Sequence, residues 1–401
     1  MDNKEFLINK AEVIELLGDL TRIYSPYFKE ERVLSYIQGW LESRGFSPNI
    51  HAYSEPLVTK FDGKNLILEL EGSEEGPHIY LNAHVDTVYE SIGWDTNPLD
   101  PVVVGDNMYG LGVLDMKSGV GATLLALDAF VKGNRNFRGK ITAHFVSDEE
   151  GPFGLGTTFL IKDGLINKPD LAIITEPSAG FTGMQHPVIC LGARGGYNYT
   201  VKLQGFASHA ATPQLGHSAV VDAAKLIQSL ENITLIEDKD LGKGSSVVIR
   251  VSGGGAACSV PDYAEVEVFR HIVRGESMST IEEEIIQAIK DGGIDSKYEI
   301  EFRSSPAEGF DGGFEAYYYE NEPLIDSFAK SVERVCQAVP KVTFFSSIGD
   351  FNHIGGKLGI PTVIFGAAGE NFHSPNEYVN LDSVRDVANV LVNYLEKVLK
   401  I

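Results

Sequence analysis

Apolar residues recur every three to four positions over residues 11–22 and 30–44, the period of helices that bury one face. Val33, Ile37, Trp40 and Leu41 mark that face in the second. The period then shortens to two. Asn65-Leu66-Ile67-Leu68-Glu69-Leu70 alternates as a strand, and the apolar run Pro77-His78-Ile79-Tyr80-Leu81 predicts a buried one. A glycine-punctuated loop, Gly110-Leu111-Gly112-Val113-Leu114-Asp115, leads into an Ala- and Leu-rich helix over about residues 116–131. Strands follow at 140–146 and 170–175. Strands alternating with helices predict an α/β architecture, a mainly parallel sheet flanked by helices.

From about residue 191 the texture changes. Strands are expected at 197–203, 246–251, 264–272 and 298–302, with helices at 218–230 and 279–289. That is a βαββαβ unit of roughly a hundred residues, the size of a small α+β domain. Gly253-Gly254-Gly255 reads as a turn within it. A helix at 322–337, a buried strand at 362–365 and a closing helix at 381–397 then resume the first pattern. The economical division is one discontinuous α/β domain, 1–190 and 306–401, with 191–305 inserted.

Charge narrows the partners. With 33 Lys+Arg against 56 Asp+Glu, the formal net charge of −23 opposes nucleic-acid backbones and anionic membrane surfaces. No uncharged apolar run reaches the ~18 residues of a membrane span. The start, Met1-Asp2-Asn3-Lys4-Glu5-Phe6, lacks the pattern of a signal peptide. Cys190, Cys258 and Cys336 have no paired spacing, which argues against a disulfide framework and for a reducing compartment. A cytoplasmic protein is expected.

The chemistry begins at Asn82-Ala83-His84-Val85-Asp86-Thr87, just past a strand end. A His and an Asp two residues apart point to the same side there, so the His can ligate a metal while the Asp orients its ring. Other expected strands end similarly, in Ser147-Asp148-Glu149-Glu150-Gly151, in Glu176-Pro177 and, through a Gly-Ala-rich loop, in Phe372-His373-Ser374-Pro375. Ligands of open α/β sheets gather beyond the carboxyl ends of strands. His84, Asp115, Glu150, Glu176 and His373 therefore form a candidate set of mixed nitrogen and oxygen donors, which suits zinc, with cobalt or manganese as substitutes. Such a set, with one carboxylate shared, suits two metals. Glu149, beside a ligand in an irregular loop, is the natural general base. Gly110-Leu111-Gly112 lacks the third glycine of a dinucleotide loop, and no phosphate-loop Lys-Ser/Thr follows.

His84-Val85-Asp86, Asp115-Met116-Lys117, Asp148-Glu149-Glu150-Gly151, Glu176-Pro177 and Phe372-His373 stand in the order and approximate spacing of the zinc-dependent M20 amidohydrolases, which the chain resembles over nearly its whole length. The resemblance implies one zinc on His84, Asp115 and Glu176 and a second on Asp115, Glu150 and His373. It implies Asp86 orienting His84 and Glu149 shuttling the proton. It also makes 191–305 a lid and dimerisation domain, where Gly205-Phe206-Ala207-Ser208-His209-Ala210 resembles a segment whose His reaches the neighbouring subunit's site. His209 is then the residue that stabilises the oxyanion across a homodimer.

Two departures fall where the family holds substrate. Cys258 stands where many members have Asn, and His271 stands where many have the Arg that clamps the substrate carboxylate, with Arg270 one residue early. Alternation along a strand should turn Arg270 to the other face. Arg194, in Gly192-Ala193-Arg194-Gly195-Gly196, is a further possible anion contact. His144 is expected in the sheet, while His186 and His217 have no assigned partner. The expected function is a two-metal amidohydrolase acting on an N-acyl-amino acid or short peptide with a free carboxylate, of the deacylase kind. Carboxypeptidase or dipeptidase action is the alternative, and a non-catalytic peptide- or metabolite-binding relative is the alternative of another class.

Overall fold

The computed structural model describes residues 8–134, 136–151, 153–320 and 322–401, so the start at residues 1–6 read above lies outside it. Contacts divide the chain into two compact units, Met1–Ala193 with Tyr318–Ile401, and Arg194–Tyr317. The stretch 306–317, expected with the outer halves, packs with the inserted unit instead. Gly196 and Phe314 exchange backbone hydrogen bonds at 2.9 Å, and Tyr197 Oη donates to Asp311 at 3.2 Å.

The large unit is built on one sheet in the order Asn49–Glu55, Phe61–Glu71, Arg138–Val146, Glu74–His84, Leu171–Ile174, Thr362–Ile364, Val188–Ala193, and Lys341–Phe345 also pairs with the last. Arg138–Val146, Glu74–His84, Leu171–Ile174 and Thr362–Ile364 run parallel, so their carboxyl ends open on one rim. Ile79–His84 and Leu171–Ile174 are buried without a break, the pattern of strands covered on both faces. Helices Lys117–Gly133 and Leu381–Leu399 pack on Glu74–His84, and Glu31–Glu42 and Leu155–Lys162 pack on Phe61–Glu71. Helix Lys10–Arg22 begins in a reciprocal cap, with Asn9 Oδ1 accepting from the Ala11 and Glu12 N–H groups while Glu12 Oε2 accepts from Asn9 N–H at 2.9 Å.

Several elements escaped the periodicity. Strand Asn49–Glu55 and helix Leu155–Lys162 were not expected, and neither was a small sheet of Gly369–Glu370, Tyr378–Asn380, Asn107–Tyr109 and Val102–Val104. Two or three residues are too few to display a period. The small sheet matters because Gly369–Glu370 and Tyr378–Asn380 form the hairpin whose connection carries His373.

The inserted unit is a four-stranded antiparallel sheet, Ser245–Gly254, Tyr263–Ile272, Gly195–Gln204, Lys297–Phe302 in that order, packed with helices Ala219–Leu230 and Met278–Asp291. Tyr263–Ile272 alternates strictly between buried and less buried positions, and Val201, Leu203, Val266, Val268, Ile281 and Ile285 form its core. Gly253 and Gly254 are not the turn. They pair with Ala264 and Tyr263 at the end of the edge strand.

Candidate metal centre

His84, Glu149, Glu150 and Glu176 sit at or just past strand ends, Asp115 just before helix Lys117–Gly133 and His373 in the connection of the small hairpin. His84 is the last residue of Glu74–His84, and its Nδ1 lies 3.1 Å from the Asp86 carbonyl oxygen. With Nδ1 donating there, Nε2 is left facing the acids. The Asp86 carboxylate lies beneath the loop after Arg138–Val146. Its Oδ1 accepts from Glu149 N–H at 3.2 Å and its Oδ2 from Glu150 N–H at 2.9 Å, while Oδ1 stands 3.6 Å from His84 Nδ1. Asp86 thus holds the imidazole through its backbone carbonyl and the acidic loop through its carboxylate.

The acids and imidazoles converge from residues far apart in sequence. His84 Nε2 lies 3.3 Å from Asp115 Oδ1, 3.3 Å from Glu176 Oε1 and 3.9 Å from Glu149 Oε2. The other oxygen of Asp115, Oδ2, lies 3.3 Å from His373 Nε2, which stands 2.8 Å from Glu150 Oε1. Asp115 is thus the pivot between the imidazoles. Ligand atoms of His84, Glu149 and Glu176 lie within 4.8 Å of one another, as do those of His84, Asp115 and Glu150. Glu149 stands beside the expected ligands, slightly farther from His84 than Asp115 and Glu176 are. Its Oε1 accepts from Asp350 N–H at 3.3 Å, which leaves Oε2 turned inward.

Two buried acids were missed by the sequence reading. Glu377 Oε2 accepts from Gly112 N–H at 2.8 Å, and its Oε1 from Leu114 and Asp115 N–H at 2.8 and 3.1 Å. The glycine loop that invites a nucleotide reading closes instead on an internal carboxylate, and this places Asp115. Asp350, 3 % exposed, takes a hydrogen bond from Thr157 Oγ1 at 2.5 Å and carries the backbone amide that holds Glu149. Neither lies in a spacing that singles it out; Glu377 follows His373 in a loop, and Asp350 sits in Gly349-Asp350-Phe351.

Burial and crowding set the electrostatics. Burial pushes Glu150 up to about 7, with Asp115 adding to the shift and His373 opposing it. Glu149 is driven well above the usual carboxylate range, by burial first, against His84 and with Glu176, Asp350 and neighbouring Glu150. His373 is raised to about 11, because Asp115 and Glu150 outweigh the burial that would lower it. Left to itself the pocket holds these acids only by taking up protons. Divalent cations would supply the same compensation, and the imidazole and carboxylate donors are those that suit zinc. The residues fit a metal centre.

The other expected site residues lie in the inserted unit. His209 is exposed, and its Nδ1 accepts from Ala211 N–H at 3.0 Å. Arg194 Nε donates to the Leu241 carbonyl at 3.1 Å. His271 Nδ1 lies 2.9 Å from Ser245 Oγ, and burial, aided by Arg194 and Arg270, lowers it to about 4, so the ring is neutral. Arg270 faces the way strand alternation predicts, which takes it out of the set of candidate substrate contacts. Its side chain is 0 % exposed and bound by Glu276 and Glu284, the latter at 3.0 and 3.2 Å. Alternation has turned it into the core, where it meets no substrate anion. His144 lies in the sheet with Nδ1 3.0 Å from Tyr80 Oη, and His217 pairs with Asp222 at 2.6 Å.

Residues 80–397 match the family model described as peptidase family M20/M25/M40. The chain belongs to that family. As an M20 protein it is a hydrolase that acts on amide bonds, and the non-catalytic alternative is set aside. Among similar curated proteins, the succinyl-diaminopimelate desuccinylase of Sulfurovum sp. (strain NBC37-1) is 26% identical, with 94% of this chain and 96% of the relative covered. That of Rickettsia akari (strain Hartford) is 28% identical, with 96% and 100% covered. A tripeptidase from Staphylococcus aureus shares the fold with a TM-score of 0.80 at 21% identity, covering 98% of this chain and 99% of that one. An M20 metallo-carboxypeptidase from Sulfolobus solfataricus does so with a TM-score of 0.75 at 16% identity, 99% of each chain being covered. Among the described residues no helix is long and apolar enough to cross a membrane.

Proposed function

We propose that this M20 hydrolase cleaves the amide of an N-acyl-amino acid, or of a short peptide with a free carboxylate, and that deacylation of the desuccinylase kind is its main activity. The observation that carries the reading is Asp115, whose carboxylate oxygens each stand 3.3 Å from a different imidazole. His84, Asp115 and Glu176 would hold one cation, and Asp115, Glu150 and His373 the other. Zinc suits these donors, with cobalt or manganese as substitutes. Bound there, the ions would polarise the scissile carbonyl and acidify a water. Asp86 keeps the His84 ring and the Glu149-Glu150 backbone in register. Glu149 takes a proton from the attacking water at Oε2 and returns it to the leaving nitrogen, so amide and water become carboxylate and amine. The full-length likeness to proteins named succinyl-diaminopimelate desuccinylase supports the choice of an N-acyl substrate.

His209 supplies the oxyanion donor from the neighbouring subunit of a homodimer formed through the inserted unit. Val247, Ile249 and Val251, each at least half exposed on the edge strand Ser245–Gly254, support such an interface. Of the candidate substrate contacts, Arg194 would meet the substrate carboxylate, with Arg270 enclosed and His271 neutral. Three free cysteines and the acidic surface support a cytoplasmic setting. A hydrolysis screen of N-succinyl-, N-acetyl- and peptide substrates with added Zn2+, Co2+ or Mn2+ tests the assignment. Turnover of an N-succinyl-amino acid above the peptides is expected, and faster cleavage of the peptides would make it a peptidase. A strict monomer of full activity in sedimentation would remove His209 from the mechanism.

A further inference from the structure

A second group of metal-binding side chains lies in the large unit, none of them part of the centre described above. His186, in the turn before strand Val188–Ala193, Cys336, at the end of helix Pro323–Cys336, and Asp386, in helix Leu381–Leu399, bring ligand atoms within 4.8 Å of one another. Cys336 Sγ is 3.8 Å and Asp386 Oδ2 is 3.9 Å from His186 Nε2. Tetrahedral zinc at its usual bond lengths separates S, N and O donors by about 3.4–3.6 Å, so a contraction of a few tenths of an ångström would bring both Cys336 and Asp386 to ligand distance from His186.

The surroundings favour an ion over a simple polar contact. Nε2 is farther from both neighbours than a strong hydrogen bond would place it. Asp386 Oδ1 accepts from Arg385 Nη2 at 2.9 Å and Nε at 3.3 Å, which turns Oδ2 toward the imidazole. A cleft of about 500 Å³ lined by Gln185, His186, Glu370, Asp382 and Asp386, among others, gives ion and water a way in. Burial raises the Cys336 thiol to about 12, with Asp386 adding to the shift, so the apo site keeps its proton.

We infer that His186, Cys336 and Asp386 form a second zinc site, separate from the catalytic pair, with water as the fourth ligand. It ties the end of helix Pro323–Cys336 and the second turn of helix Leu381–Leu399 to the turn at His186. On binding, Cys336 loses its proton to solvent and gives an S–Zn bond, and no electrons are transferred.

The catalytic donors contain no sulfur, so a thiolate-to-Co2+ charge-transfer band in the near ultraviolet reports this site alone. In the full-length protein loaded with Co2+, the band is expected in the wild type and in Cys258→Ser, and is lost in Cys336→Ser together with about one metal equivalent. Cys258 is the exposed thiol and Cys190 is buried. A wild-type protein without the band, or a band that survives Cys336→Ser and disappears in Cys258→Ser, overturns the site. Should Cys336→Ser not fold, alkylation of the wild type with and without Zn2+, read at the Cys336 peptide, decides. Protection of about tenfold is expected, and an unchanged rate refutes the inference.

Discussion

The buried charges of the two units are arranged on opposite plans. In the inserted unit, the Arg270 guanidinium is enclosed by Glu276 and Glu284, and Glu276 Oε2 also accepts from Val273 N–H at 2.7 Å. Every partner is protein, and the cluster docks helix Met278–Asp291 on strand Tyr263–Ile272. In the large unit, Asp115, Glu149, Glu150 and Glu176 crowd around His84 and His373, and burial drives Glu149 and Glu150 upward. The first cluster meets its charges from within. The second leaves an excess of acid that only protons or bound cations offset, and that imbalance, rather than the number of charged residues, marks it as the candidate functional centre.

The contrast predicts different failures. Removing Glu149 takes away a proton carrier from a centre whose donors remain, so Glu149→Ala should lose about 10²–10⁴-fold in kcat with metal content unchanged. Turnover beside elemental analysis checks this, and an active variant would sink the mechanism. Breaking the inner pair should cost stability. Arg270→Met strands two carboxylates in the core of the inserted unit and should destabilise it by about 3–5 kcal/mol in denaturant titrations. A variant as stable as the wild type would mean that the cluster is not the anchor described.

Glu377→Gln probes the support of the large cluster. An amide offers one acceptor oxygen where the carboxylate has two, so the N–H groups of Gly112, Leu114 and Asp115 cannot all be satisfied. A 10–100-fold loss of metal affinity is expected in chelator competition. The smallest effect concerns pH. Arg274, with the Leu241 and Asp240 N–H groups, lowers the Asp238 carboxyl from 3.8 to about 2. Its stabilising contribution is therefore complete above about pH 4 and is lost as pH falls through 2. Asp238→Asn should flatten the acid limb of stability over that window, and an unchanged limb would show that the pair contributes nothing.

The centre was legible because its residues are tied to strand ends, and strand ends can be read from apolar runs. His84, Glu150 and Glu176 each follow such a run, and the structure draws them together with Asp115 and His373. The supports were not legible. Glu377 and Asp350 act from irregular loops through backbone amides, where no period or spacing distinguishes a buried acid from a solvated one. Alternation gave the correct face for Arg270, but its partners depend on how helix Met278–Asp291 packs. The 306–317 stretch was assigned by its place in the sequence, whereas its hydrogen bonds run to the inserted unit.

One feature of the sheet bears on how the protein is made. Strand Thr362–Ile364 lies between Leu171–Ile174 and Val188–Ala193, yet it follows the entire inserted unit in the chain. On the ribosome the amino-terminal half must wait with an open slot between Leu171–Ile174 and Val188–Ala193 while the insertion emerges and can fold. The strand that fills the slot also leads the chain toward His373, so closure of the sheet and completion of the ligand set belong to one late event in synthesis.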